Sequence, residues 1–307
     1  MKKLSIVVPF YYEEKVAQET YNRLFKVVSN LTDYEYEMIF VNDGSQDNTL
    51  PILKNIANLD PNVKVISFSR NFGHQAAVTA GLKEVTGDVC IIIDADLQDP
   101  PELIPEMLKL WEDGNAVVYG KRKSRDGESA FKLLTAKGFY TLLNKLSDVS
   151  IPKDTGDFRL VDKKVVDELN NLPEHNKFLR GLWSWLGYKQ TPFEYERAER
   201  FAGETHYPLK KMLKLASDGI FGFSKKPVTF IGISGVCLMV LMFVFLVIGI
   251  ISAVTNGMAF VWFLLSAMNF IGGLILICLY FIGNYIVRIA DNTANRPQYV
   301  VEERINS

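Results

Sequence analysis

Two hydrophobic rhythms divide the N-terminal part of the chain. Short β-branched runs, Leu4 to Phe10, Tyr36 to Val41, Val63 to Phe68, Cys90 to Ile93 and Ala116 to Gly120, predict strands. Between them lie stretches with apolar positions three and four apart, which predict helices over Glu13 to Leu31, after Asp47, Gly73 to Val85 and Pro101 to Asp113. Strands alternating with helices at this spacing imply right-handed βαβ units, hence an α/β fold with a mostly parallel sheet. Beyond Gly120 the pattern weakens. Lys121 to Lys132 reads as a basic loop, Phe131 to Leu146 as a helix, and Asp157 precedes a short apolar strand. Phe178 to Gly187 reads as an amphipathic helix stopped by the glycine, with Trp183 and Trp185 packing in the core or at a membrane interface.

A different pattern follows. From Arg197 the composition turns basic, and Leu209, Met212, Leu213, Ala216 and Ile220 recur at helical spacing opposite Lys210, Lys211 and Lys214. No Asp, Glu, Lys or Arg occurs from Pro227 to Val287. That is roughly 60 residues, enough for two membrane spans of about 20 each. The expected organisation is a soluble domain over 1–205, a juxtamembrane amphipathic segment over 206–226 lying on anionic lipid, two spans over 227–254 and 260–287, and a tail over 288–307. Lys225 and Lys226 before the first span and Arg288 after the second place both termini in the cytoplasm by the positive-inside rule. Gly232, Gly235, Gly272, Gly273 and Gly283 permit close helix contacts, within one chain or in a homo-oligomer.

Overall charge is close to balanced, 34 Lys and Arg against 35 Asp and Glu. The basic residues sit against the apolar segment rather than forming a face with aromatic platforms, which argues against a nucleic-acid binder. The three cysteines lack metal-like or disulfide-like spacing.

The chemistry is concentrated at strand ends. Cys90-Ile91-Ile92-Ile93 runs straight into Asp94-Ala95-Asp96-Leu97-Gln98-Asp99, and Pro100-Pro101 forbids continuation of the strand. In an open α/β sheet ligands bind at that edge, and two carboxylates one residue apart offer hard oxygen ligands to Mg²⁺ or Mn²⁺ together with a diphosphate. Asp96 and Asp99 also suit a turn or a helix N-cap. An acid ending an Ile-Ile-Ile run is not explained that way, because an unpaired buried charge is costly. Pro9 and Asp43 end strands on the same edge. No GxGxxG follows the first strand and no P-loop is present, which sets aside the usual dinucleotide and nucleotide-triphosphate sites.

Five motifs in order carry a resemblance. Val7-Val8-Pro9-Phe10-Tyr11-Tyr12-Glu13-Glu14, Val41-Asn42-Asp43-Gly44-Ser45, Asp94 to Pro101, Gly156-Asp157-Phe158-Arg159 and Arg200-Phe201-Ala202-Gly203-Glu204-Thr205-His206-Tyr207 resemble the polyprenyl-phosphate glycosyltransferases. These are inverting enzymes of the GT-A fold that include dolichol-phosphate mannose synthases, and the chain looks most like the GtrB-type bactoprenol glucosyltransferases. The resemblance implies transfer of a hexose, glucose from UDP-glucose, to a polyprenyl phosphate at the cytoplasmic face of the plasma membrane, with Mg²⁺ or Mn²⁺ as cofactor. It implies that Pro9, Tyr11, Glu13, Asp43, Ala95 and Arg122 serve the nucleotide sugar, Asp43 at the base or ribose. Asp94, Asp96 and Gln98 would serve both sugar nucleotide and metal. Asp157 would be the catalytic carboxylate facing the acceptor, and Arg122, Arg200, His206 and Lys211 would contact its phosphate. The chain departs from the family pattern twice: Tyr12 stands where Asn is usual, and Thr205-His206-Tyr207 where Ser-Lys-Tyr is common. Another UDP-sugar or GDP-mannose is the alternative donor. A processive polysaccharide synthase would carry a Gln-x-x-Arg-Trp motif, which Arg180-Gly181-Leu182-Trp183 does not match, and a non-catalytic membrane scaffold would leave the three aspartates without a use.

Overall fold

The computed structural model describes residues 1–122, 155–174, 177–196, 259–293 and 296–306. They belong to two units. An α/β unit holds the described residues up to 196 and resumes at Arg296, while a helical unit contains Ala259–Thr293. The predicted helix Phe131 to Leu146, the basic segment, the first span, Arg200, His206 and Lys211 lie outside the described residues.

In the α/β unit the elements run β1 (Lys2–Phe10), α1 (Ala17–Ser29), β2 (Tyr34–Asn42), α2 (Thr49–Leu59), β3 (Val63–Phe68), α3 (His74–Lys83), β4 (Val89–Ile92), α4 (Ile104–Glu112) after a 3₁₀ turn at Pro101–Leu103, β5 (Val117–Arg122), β6 (Thr155–Asp162), α5 (Lys163–Asn171), α6 (Leu179–Trp185) and β7 (Gln190–Tyr195). The helical unit contributes α7 (Ala259–Thr293), and β8 (Val301–Ile305) closes the α/β unit. The sheet has eight strands in the order β7-β5-β6-β4-β1-β2-β3-β8. Its β4-β1-β2-β3 centre is parallel, as the alternation predicts, and β6 and β8 run antiparallel to their neighbours. β4 stops at Ile92, one residue short of the expected end at Ile93, so Asp94 lies in the loop beyond it.

Strand order reverses at β1, whose neighbours are β4 and β2, and the crevice at such a switch point is the usual ligand site of an open sheet. Pro9 makes the opening possible. Ile93 N–H donates to Val7 O, and Asp43 N–H donates to Phe10 O. Odd positions of β1 therefore face β4 and even ones β2. The N–H that Pro9 lacks would point where β4 has already ended, so no ladder bond is lost.

Packing behind the crevice is tight. A Cβ on Gly81 of α3 would stand 2.3 Å from Val7 Cγ1 of β1. Leu4, Ile6, Val8, Met38, Phe40 and Val65 are fully buried in the layer between the sheet and α1, α2 and α4.

Residues 288–307, expected as a tail, are ordered otherwise. α7 continues past Val287 to Thr293, and β8 pairs antiparallel with β3. Tyr299 stacks on Phe68 with ring centroids 4.8 Å apart, and Asn306 Nδ2 donates to the carbonyls of Ala57 and Val63. Arg304 pairs with Glu84 at 2.5 Å and Glu303 with Lys54 at 2.5 Å. The tail pattern was unreadable because the five-residue edge strand sets three consecutive charged residues, Glu302, Glu303 and Arg304, between two apolar ones and so looks like any charged terminus. Within the helical unit, α7 carries an apolar stretch, Phe270–Val287, long enough to cross a membrane by length and composition.

Replacing Gly81 with Ala forces a methyl group into Val7. We expect a stability loss of about 1–3 kcal/mol, read from thermal or denaturant unfolding.

Candidate active site

Three loops meet at the crevice. The loop after β1 turns at Tyr12, which adopts φ 58°. That left-handed conformation suits Asn far better than an aromatic residue, which explains why Asn is the usual occupant and what the substitution costs. Backbone contacts hold the turn: Tyr12 N–H donates to Ser45 Oγ (3.0 Å), and Glu13 N–H donates to Thr49 Oγ1 (2.9 Å). Tyr11 is partly exposed and packs edge-on against Tyr12.

Asp43, after β2, is buried, and protein donors reach both of its oxygens. Phe72 N–H (2.7 Å) donates to Oδ1, Asn71 Nδ2 (2.9 Å) to Oδ2, and the one Gly73 N–H is shared between the two. Three donors from the loop that leads into α3 thus hold a carboxylate that can accept about four hydrogen bonds. Burial raises its pKa, and the Phe72 and Gly73 amides oppose that rise. Beside it, Gly44 is at φ +66°, and a Cβ there would lie 2.3 Å from the Arg70 carbonyl carbon. No other residue fits without moving the Arg70 backbone.

The third loop holds the acidic run. Thr20 Oγ1 donates to Ala95 O (2.8 Å), and Gln98 N–H donates to Asp96 Oδ1 (3.2 Å). Leu97, buried at φ 58°, turns the chain between the two acids. Asp99 is neither the turn former nor the N-cap that its position suggested: it is fully buried and accepts a hydrogen bond from the Tyr195 hydroxyl, while Pro100 occupies the cap. Asp94 Oδ1 is buried without a hydrogen-bond partner. Burial, reinforced by Asp157, Asp99 and Asp96, raises its pKa to about 6, with His74 opposing. Among the described residues no group of three or more His, Cys, Asp or Glu side chains could enclose a metal. An orphaned carboxylate oxygen next to a second carboxylate therefore fits a cation held by one or two acids and completed by phosphate oxygens and water, the habit of Mg²⁺ and Mn²⁺.

Asp157, on β6, faces this loop. Arg180 of α6 grips it in bidentate fashion, Nε to Oδ1 at 2.8 Å and Nη2 to Oδ2 at 2.9 Å, and His74 Nε2 lies 3.2 Å from Oδ2. Burial alone would raise the Asp157 pKa, but the Arg180 charge and then His74 hold it well below the usual carboxylate range. The same His74 Nε2 is 3.6 Å from Asp94 Oδ1. Burial lowers the imidazole pKa, whereas Asp94 and Asp157 together raise it to about 9. Arg159 is buried between the rings of Tyr119 and Trp183, so Trp183 is a core residue while Trp185 is exposed. Arg122 ends β5, and a Cβ on Gly156 would stand 3.0 Å from its Nη2, so the glycine of Gly156-Asp157-Phe158-Arg159 leaves room for this guanidinium against β6, on the face opposite the Asp157 side chain, since successive strand residues point to opposite faces.

Asp94 and Asp96, from the loop after β4, thus meet Asp157 of β6, Arg122 lies against Gly156, and Pro9, Ala95 and Glu13 belong to the surrounding strand end and loops. His74 and Arg180 were missed as site residues. Each sits in a predicted helix, and nothing in the local pattern marks either as facing a carboxylate twenty or more positions away in sequence.

The model of glycosyl transferase family 2 matches residues 5–169, and the chain belongs to that family and is a glycosyltransferase. A Bacillus subtilis protein named as an uncharacterized glycosyltransferase, YkcC, is 50% identical over 97% of this chain and 93% of its own length. The bactoprenol glucosyl transferase of Shigella phage SfX is 39% identical over 98% of this chain and 99% of its own, and the prophage bactoprenol glucosyl transferase homolog of Escherichia coli is 38% identical over 98% of each. The crystal structure of glucosyl-3-phosphoglycerate synthase from Mycobacterium tuberculosis, in complex with Mn²⁺, UDP and phosphoglyceric acid, superposes with a TM-score of 0.50 at 20% identity, over 72% of this chain and 76% of that one. At that identity it establishes the GT-A fold alone.

The His74 contacts make stability depend on pH in metal-free protein. Since its pKa rises from 6.5 to about 9 on folding, the contribution is full below pH 6.5 and is lost as the pH rises through about 9. The gap in melting temperature between wild type and His74→Gln should be widest below pH 6.5 and close above about pH 9.

Proposed function

We propose that the enzyme transfers glucose from UDP-glucose to the phosphate of a polyprenyl lipid, with inversion, at the cytoplasmic face of the membrane. The observation that carries this reading is the meeting of Asp94, whose buried Oδ1 accepts no hydrogen bond, with Asp157, whose pKa Arg180 and His74 hold well below the usual carboxylate range, next to the β1/β4 switch point. The names of the near-full-length relatives supply the acceptor class and the sugar.

Asp94 and Asp96, with Gln98 beside them, would hold Mg²⁺ or Mn²⁺, which when bound neutralises the leaving diphosphate. The acceptor phosphate oxygen attacks the anomeric carbon as the bond from that carbon to the UDP oxygen breaks. A phosphate monoester has a second pKa near ~6 and is mostly dianionic at neutral pH, so little proton removal is required. An Asp157 held by Arg180 is a weak base in any case. Its work is to face the developing positive charge on the sugar and to orient the acceptor, with Arg122 offsetting the repulsion between two anionic substrates. Arg200, Lys211 and His206 are proposed to join Arg122 on the acceptor phosphate.

Topology supports a membrane hairpin. The described residues up to 196 and those from Arg296 belong to the α/β unit, and α7 between them belongs to the helical unit. A segment that starts and ends on one side crosses a bilayer an even number of times, so if α7 spans, a partner span lies between 197 and 258. Pro227 to Val254 is the apolar stretch available.

The test is transfer of radiolabelled sugar from a panel of UDP- and GDP-sugars to undecaprenyl phosphate in detergent, with Mg²⁺, Mn²⁺ or EDTA. Labelling of the lipid from UDP-glucose, abolished by EDTA, is expected. Labelling from another donor instead would correct the sugar, and metal-independent donor binding without transfer by folded protein would favour the scaffold. In the same assay Asp157→Asn should lower kcat about 100-fold or more while donor KM stays near wild type.

A further inference from the structure

The mechanism above leaves the His74 imidazole without a task. Its Nε2 stands 3.6 Å from Asp94 Oδ1 and 3.2 Å from Asp157 Oδ2, between the carboxylate assigned to the donor and the one assigned to the acceptor. The N–H aligns on neither oxygen, and Asp94 Oδ1 likewise has no hydrogen-bond partner. Core filling does not account for the ring, since the side chain is 38% exposed.

Its backbone setting is rigid. His74 is the first residue of α3, and Asp43 grips Asn71, Phe72 and Gly73 immediately before it. The next residue, Gln75, accepts a hydrogen bond through Oε1 from Leu179 N–H (3.1 Å) at the start of α6, one residue before Arg180. Residues 71 to 75 therefore set the imidazole directly and the guanidinium through one hydrogen bond, and these two side chains meet Asp157 together.

We propose that His74 is a positioning residue that couples the two halves of the site. Standing between Asp94 and Asp157, it keeps two like-charged groups at a set separation. With Arg180 holding the same carboxylate, it turns Asp157 toward the acceptor phosphate. The inference rests on the proposed reaction and acts through Asp157.

The experiment is a double-mutant cycle of His74→Ala and Asp157→Asn. In the transfer assay His74→Ala should lower kcat about 10- to 100-fold, the range for a misplaced reacting group, with donor KM and Mn²⁺·UDP affinity by calorimetry within about threefold of wild type. In the Asp157→Asn background it should cost nothing further. Wild-type kcat in His74→Ala, or an equal loss in both backgrounds, would overturn the coupling. Should His74→Ala fail to fold, His74→Gln replaces it in the cycle. The same cycle read as melting temperature of metal-free protein is independent of the reaction. A wild type that transfers no sugar yet shows non-additive melting temperatures would refute the reaction and retain the His74–Asp157 contact, whereas additive melting temperatures refute the contact itself.

Discussion

Like charge converging at one sheet edge is the constraint to which the site is built. Parallel strands deliver their C-terminal ends to the same place, and here those ends and the facing β6 bring Asp94, Asp96, Asp99 and Asp157 together. Leaving buried carboxylates unpaired costs several kcal/mol each, of order the stability of a domain when summed. Each acid meets a different answer. Asp99 takes the Tyr195 hydroxyl, Asp157 takes Arg180 on both oxygens, and His74 stands against Asp157 and Asp94. Asp94 Oδ1 is left without a hydrogen bond, and that residue of negative potential is what a divalent cation and a diphosphate would use.

Rigidity follows from the same arrangement. Asp43 spends its carboxylate on the loop before α3, so the strand end that resembles a nucleotide contact also fixes where His74 begins. Of the three non-glycine residues at positive φ among the described residues, Tyr12 and Leu97 lie in the loops around the crevice, a pattern expected where a chain must bend sharply beside a ligand, and Asn306 follows β8. Behind them Gly81 lets α3 lie against β1 more closely than any side chain would permit.

At the far edge of the sheet β8 satisfies the backbone groups of β3 that an open edge would expose, and Tyr299 and Asn306 fasten its two ends. An edge strand left bare invites pairing with other chains. Its supply from beyond the apolar helix means that the segment between residues 196 and 296 is attached to the α/β unit at both ends.

The amino-acid order by itself marked the parallel βαβ core, the strand-end acids Asp94 and Asp96 and the uncharged stretch from Pro227 to Val287, whereas Asp157 was singled out only through its resemblance to a family motif. Those signals are local: a β-branched run, a pair of acids at its end and a missing set of charges each show within a few residues. Tertiary structure decided what lies across the crevice. It placed β6 between β4 and β5, added β7 and β8, turned Asp43 inward onto the loop before α3, and brought His74 and Arg180 onto Asp157. Charge pairs of this kind depend on which strand ends become neighbours, and periodicity does not carry that information, because a histidine or arginine on a helix looks alike whether it faces water or a carboxylate.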